Sequence, residues 1–173
     1  MKTIIKNAFI LTEEGFRKGS VSVKGKRISD VAFGKEIKPG KNEGVNVLNA
    51  KGCRLLPGMI DIHFHGMGQI DSGIIDEKKI EKLERELLKK GVTGFLPTFY
   101  SLPYSALKNN LTFYRDYLAQ RKGKTAVLGL NLEGPFLNKK QGGAHDKRFL
   151  TGFHDKRYIQ LSQDCWQNQF RAL

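Results

Sequence analysis

Two histidines one residue apart, in the run PGMIDIHFHG at residues 57–66, are the strongest chemical signal in this sequence. In a strand, residues two apart point to the same side. Asp61, His63 and His65 would then share one face near the strand's C-terminal end. Two imidazoles on one face can each offer a nitrogen to the same divalent metal. A lone histidine more often packs or faces water. The pair, after an apolar strand opened by Pro57-Gly58, points instead to metal ligands. Asp61 could hold an imidazole as a hydrogen-bond acceptor or tie down backbone, and the structural role is the expected one.

A second candidate lies in NLEGPF at residues 131–136. Glu133 closes an apolar run and is followed at once by Gly-Pro, which presents its carboxylate at a strand end. A carboxylate there, on the edge that carries His63 and His65, can ligate or bridge a metal. A third lies in KKQGGAH at residues 139–145. Gly142 and Gly143 make a pliable loop, and His145 would sit near the same rim, either as a substrate contact or as an ordinary surface residue. His154 has no comparable context and reads as surface.

The elements that must position these residues follow from the apolar pattern. Residues 1–56 read as a small β-rich unit. IIKNAFIL is one strand, GSVSVKGKRISDVAF a hairpin, KPGKNEG a loop, and VNVL and CRLL two short runs. From Pro57 the pattern changes to strand, helix, strand, helix, strand, which implies a parallel α/β sheet. MIDIHFH reads as a buried parallel strand. A helix comes next with Ile80, Leu83, Leu87 and Leu88 at helical spacing, Asp76 at its start and Gly91 at its end. VTGFLPT is the second strand. The second helix runs from about Pro103 to Gln120, with Tyr104, Leu107, Leu111, Tyr114 and Leu118 as its stripe. TAVLGLNLEG is a third buried strand. The tail is loop-like and basic up to residue 160, and YIQLSQDCWQNQFRAL could form a helix on Ile159, Leu161, Cys165, Trp166 and Phe170.

Composition narrows the class. The chain has 173 residues with a net charge of +13, and 39% of its residues are hydrophobic, as in an ordinary globular protein. The basic residues are spread along the chain, with no aromatic-basic motif of the kind that stacks bases, so no nucleic-acid partner is expected. A basic solvated surface that modestly attracts phosphorylated substrates fits the charge. The two cysteines, Cys53 and Cys165, form no CxxC pair and suggest a reducing compartment. No membrane or export segment is visible, and the expected location is the cytoplasm.

Taken together, PG-x-I-D-x-H-x-H-G resembles the opening of the amidohydrolase superfamily. LEGPF followed by KKQGGAH, with GVTGFLPTFYS between them and the histidine pair, is similar to the N-acetylglucosamine-6-phosphate deacetylase family. The resemblance covers nearly the whole chain and implies an α/β fold, a partial (β/α)8 barrel comprising its first three βα units. A small β-sandwich-type unit at residues 1–56 would precede the barrel part at 57–173. It implies metal-dependent hydrolysis of the N-acetyl amide of N-acetylglucosamine 6-phosphate, giving glucosamine 6-phosphate and acetate. His63, His65 and Glu133 match the metal ligands, for one or two divalent ions (zinc, with iron or manganese as alternatives), and His145 matches the substrate-facing histidine. The substrate partner is a small sugar phosphate, and full-length members are expected to be homo-oligomers. The family's later histidine ligands and catalytic aspartate have no counterpart here and would lie beyond the chain's end. The chain therefore reads as an N-terminal portion with doubtful activity alone. Two other readings stand beside it: another HxH amidohydrolase of dihydroorotase or deaminase type, and a non-catalytic remnant or interaction module.

Overall fold

The computed structural model describes residues 1–40, 44–73, 75–121 and 125–169, and the chain divides into two compact units, Met1–Pro57 and Gly58–Leu173. The first unit is a five-stranded sheet. β1 (Lys2–Thr12) pairs antiparallel with β2 (Gly15–Lys24), which pairs antiparallel with β3 (Arg27–Phe33). β4 (Val45–Asn49) and β5 (Arg54–Leu55) both run parallel to β1. The expected hairpin is present, turning through Gly25 at φ +61°. The first strand absorbs its polar interruption as a register shift between Ile5 and Ala8. Asn7 adopts a left-handed backbone there (φ +56°), which asparagine tolerates better than most residues. Ala8, Ile10 and Val21 form the core of this unit.

The second unit is mixed α/β. β6 (Met59–Phe64) leads into a two-stranded hairpin of β7 (Gly66–Met67) and β8 (Ile70–Asp71). Then come α1 (Glu77–Lys89), β9 (Val92–Tyr100), α2 (Tyr104–Gln120), β10 (Asn131–Glu133) and α3 (Lys156–Gln169). β9 lies between β6 and β10, and both pairings are parallel. Asp76 caps α1 by accepting the Lys79 N–H at 3.2 Å, and Gly91 comes after the helix at φ +84°. Ile80, Leu83 and Leu87 of α1 and Leu107, Leu111, Tyr114 and Tyr117 of α2 share one core with Phe64, Phe95 and Phe99. Arg121, just past α2, reaches back to α1, with Nη1 2.6 Å from Glu81 Oε1.

Three expectations need correction. Leu88 is 63% exposed, because the buried stripe of α1 runs through Ile80, Leu83 and Leu87 and leaves it outside. β6 is not a buried strand: Ile60 and Ile62 are 60% and 67% exposed. β6 has β9 as its one neighbour among the described residues, and only Phe64 of its apolar face reaches the core. The third strand is not continuous. Val127 makes an isolated bridge with Phe95, and regular pairing resumes only where Asn131 meets Thr98. Four steps on one side oppose three on the other, so residues 128–130 carry one extra residue in the manner of a bulge. The tail helix forms, with Tyr158 and Leu161 buried. The side chains of Cys165 and Trp166, and Phe170 as a whole, lie outside the described residues.

Polar groups fix the register of the parallel sheet. Thr98 is 1% exposed. Its Oγ accepts the Phe64 N–H at 2.9 Å and the Asn131 side-chain amide at 3.3 Å, and donates to the Leu96 carbonyl at 3.2 Å. The next layer is Ser72, whose Oγ donates to the Thr98 carbonyl and whose own carbonyl accepts the Tyr114 hydroxyl at 2.7 Å. Burial raises the Tyr114 phenol above its usual range, so it remains a donor. Replacing Thr98 by valine keeps its shape but strands the buried Phe64 N–H and the half-buried Asn131 amide. The expected loss of unfolding free energy in urea is about 1–3 kcal/mol. The adjacent leucines of α1 give a second check. Leu87→Ala should cost roughly 2–5 kcal/mol, and Leu88→Ala no more than about 0.5 kcal/mol. Equal costs for the two would reject the assigned helix face.

Candidate metal centre

The ends of β6 and β10 carry the cluster that the sequence singled out. His63 and His65 present their Nε2 atoms 3.0 Å from each other. Glu133 Oε2 lies 3.4 Å from the first and 3.1 Å from the second. His63, His65 and Glu133 thus offer three ligand atoms around one point and could hold a metal ion. Two atoms 2.0–2.2 Å from one ion at the tetrahedral angle lie about 3.3–3.6 Å apart; the Glu133–His63 separation falls in that range, and the other two are a few tenths of an ångström shorter. The chemistry agrees, because two imidazole lone pairs and a carboxylate oxygen at such range repel unless a cation or a proton lies among them.

Each ligand is placed by its strand and by the residue immediately after it. The Asp61 carboxylate accepts the His63 backbone N–H at 3.1 Å, so it ties down backbone rather than an imidazole. The Phe64 N–H, between the two histidines, goes to Thr98. Gly66 succeeds His65 at φ +130°, and a Cβ there would fall 2.2 Å from the Ile70 carbonyl oxygen. Gly134 succeeds Glu133 at φ +115°, where a Cβ would fall 2.3 Å from Ser101 Oγ. The chain therefore turns immediately after His65 and after Glu133, through a backbone conformation that suits glycine. The site is open, with the His63 and His65 side chains 51% and 42% exposed and that of Glu133 35% exposed.

His145 arrives from the loop after β10. Its Nε2 lies 3.5 Å from Glu133 Oε1, the oxygen turned away from the histidine pair. Its backbone N–H donates to the Gly142 carbonyl at 3.0 Å, and Leu150 packs so closely on Gly142 that a Cβ there would meet Leu150 Cδ1 at 2.7 Å. His154 is exposed and is not one of the residues of this cluster. Sequence reasoning missed Thr98, Tyr100 and Ser101. Tyr100 pairs with Glu133 in register, and its ring centroid is 6.0 Å from that of His65. Ser101 touches the His145 ring. The available signal was position: all three stand at the C-terminal end of β9, the edge that also carries the ligands of its two neighbours.

No protein-family model matches the chain. It is 31% identical over 154 residues to the N-acetylglucosamine-6-phosphate deacetylase of Haemophilus influenzae, an alignment that covers 87% of this chain and 38% of that protein. Against the enzyme of the same name from Bacillus subtilis it is 30% identical over 151 residues, covering 85% and 37%. The crystal structure of N-acetylglucosamine-6-phosphate deacetylase from Pasteurella multocida aligns with a TM-score of 0.79 at 26% identity, over 95% of this chain and 42% of that one. The chain thus spans well under half the length of the relatives it matches. Over most of its own length the chain is thus similar, in sequence and in fold, to N-acetylglucosamine-6-phosphate deacetylases.

Proposed function

We propose that this chain carries the metal-holding part of a deacetylase site. The site would hydrolyse the N-acetyl amide of N-acetylglucosamine 6-phosphate to glucosamine 6-phosphate and acetate. The convergence of His63, His65 and Glu133 within 4.8 Å carries this reading. In it, the parallel unit is the first three βα units of a (β/α)8 barrel, and the N-terminal sheet belongs to a β-sandwich. A divalent cation, zinc first by its His/Glu ligands, would polarise the amide carbonyl as a Lewis acid. The chain's own residues do the rest. His63 and His65 offer bare nitrogens to the cation, Asp61 fixes the backbone that aims the first of them, and Glu133 turns one oxygen to the cation and the other to His145. His145 faces the substrate. The excess of basic residues, +13 in all, favours an anionic sugar phosphate over a neutral sugar. The free thiol of Cys53 suits a reducing compartment such as the cytoplasm.

Two measurements test this. Calorimetric titration with zinc should reveal one weak site, open as it is to solvent. His63→Ala and His65→Ala should each weaken binding by more than about 10–100-fold, the range known for loss of mere supporting partners. Parental affinity in both variants would reject the ligands. Acetate release from N-acetylglucosamine 6-phosphate should depend on the added cation and fall sharply in Glu133→Gln. It should also be slow, roughly 10²–10⁴-fold below an ordinary enzyme, because that is the contribution of general acid–base catalysis. At the site, Glu133 and His145 are already engaged with each other and with the histidine pair. Hydrolysis of a cyclic amide with no acetate released would replace this reading with a dihydroorotase-type one.

A further inference from the structure

His145 has contacts that metal binding alone does not call for. Its Nδ1 lies 3.1 Å from the Ser101 backbone nitrogen and 3.0 Å from Ser101 Oγ. A backbone N–H can only donate. Nδ1 must therefore present its lone pair, and in the neutral ring the proton resides on Nε2. Metal-binding histidines usually show the reverse, with one ring N–H given to a carbonyl or carboxylate and the other nitrogen left bare for the ion.

The surroundings hold this arrangement in place. Ser101 is 5% exposed, at the end of β9. The His145 side chain is 9% exposed, with Nε2 directed at the metal cluster. Gly134 leaves the space that Ser101 Oγ occupies. The three histidines at the site therefore divide their labour by tautomer. His63 and His65 bring Nε2 to a shared point with Glu133, where a ligand nitrogen must be bare. His145 brings Nε2 to the same region with a proton on it.

We propose that Ser101 is a positioning residue whose backbone N–H fixes His145 as a one-way donor. The His145 Nε2 then carries its proton toward Glu133 and the histidine pair, and His145 does not ligate the cation through that atom. Resting on the deacetylase reading, this lock orients the side chain that faces the substrate.

Histidine ring nitrogens correlated with their ring protons in ¹⁵N-labelled protein, without metal or substrate, report the tautomer directly. The expected spectrum shows His145 with a protonated Nε2 and an unprotonated Nδ1. That tautomer should be favoured by about tenfold or more, since the other would lose a buried hydrogen bond. Ser101→Ala retains the backbone donor and should leave the pattern unchanged. Ser101→Pro removes the donor and should populate both tautomers. A His145 protonated at Nδ1 in the parent overturns the proposal, whether or not the proline variant folds. So does a folded Ser101→Pro protein with the parental pattern. Because no substrate is present, this result is independent of acetate release: the donor assignment can stand where the deacetylase reading fails, and the reverse.

Discussion

The hydroxyl of Thr98 is the interaction on which the site depends. It is buried in the central strand, and all of its hydrogen-bonding capacity is used: two lone pairs accept and one proton is given. One acceptance fixes the backbone between His63 and His65, and the other holds Asn131, two residues before Glu133. A single oxygen therefore helps the backbone ladders set the height of β6 and of β10 against β9, and with it the distance between His63, His65 and Glu133. A buried polar group of this kind is stabilising only while every partner is in place. Ser72 and Tyr114 extend the same logic to α2, so the sheet and the helix packed on it share one polar seam.

The carboxylate of Glu133 joins two clusters that the sequence presents as separate motifs. One oxygen faces the histidine pair on β6, and the other faces His145 from the loop beyond β10. The histidine pair and His145 thus meet on one side chain, and a shift in either is felt by the other. Glycines immediately after His65 and Glu133 turn the chain at the ends of β6 and β10, and the cluster there is open to solvent.

Much of this was legible in the sequence, for a physical reason. The HxH spacing, the carboxylate closing an apolar run and the glycine pair before His145 are local features, and strand alternation converts them into a shared edge. The helices were legible from periodicity and from the Asp76 cap. What escaped depends on partners distant in the chain. Nothing local marks Thr98 as the acceptor for Phe64, or Ser101 as the donor to His145, because those contacts exist only once three strands are side by side. The extra residue in 128–130 leaves composition unchanged, so an interrupted strand reads as a continuous one. The exposure of Ile60 and Ile62 escaped because an apolar run announces a preference for burial without saying what covers it.

Pro97 sits in the central strand, where a proline removes one ladder hydrogen bond, at the point where β6 shifts register and Phe64 bonds to the Thr98 side chain instead. The same residue matters before the sheet exists. Val92–Tyr100, VTGFLPTFY, is uncharged and rich in β-branched and aromatic residues, the composition that stacks into intermolecular cross-β ladders when a chain is unfolded. A proline within it breaks the ladder in every alignment and acts as a gatekeeper against aggregation. The irregularity that shapes the site is thereby also a safeguard for the chain while it folds.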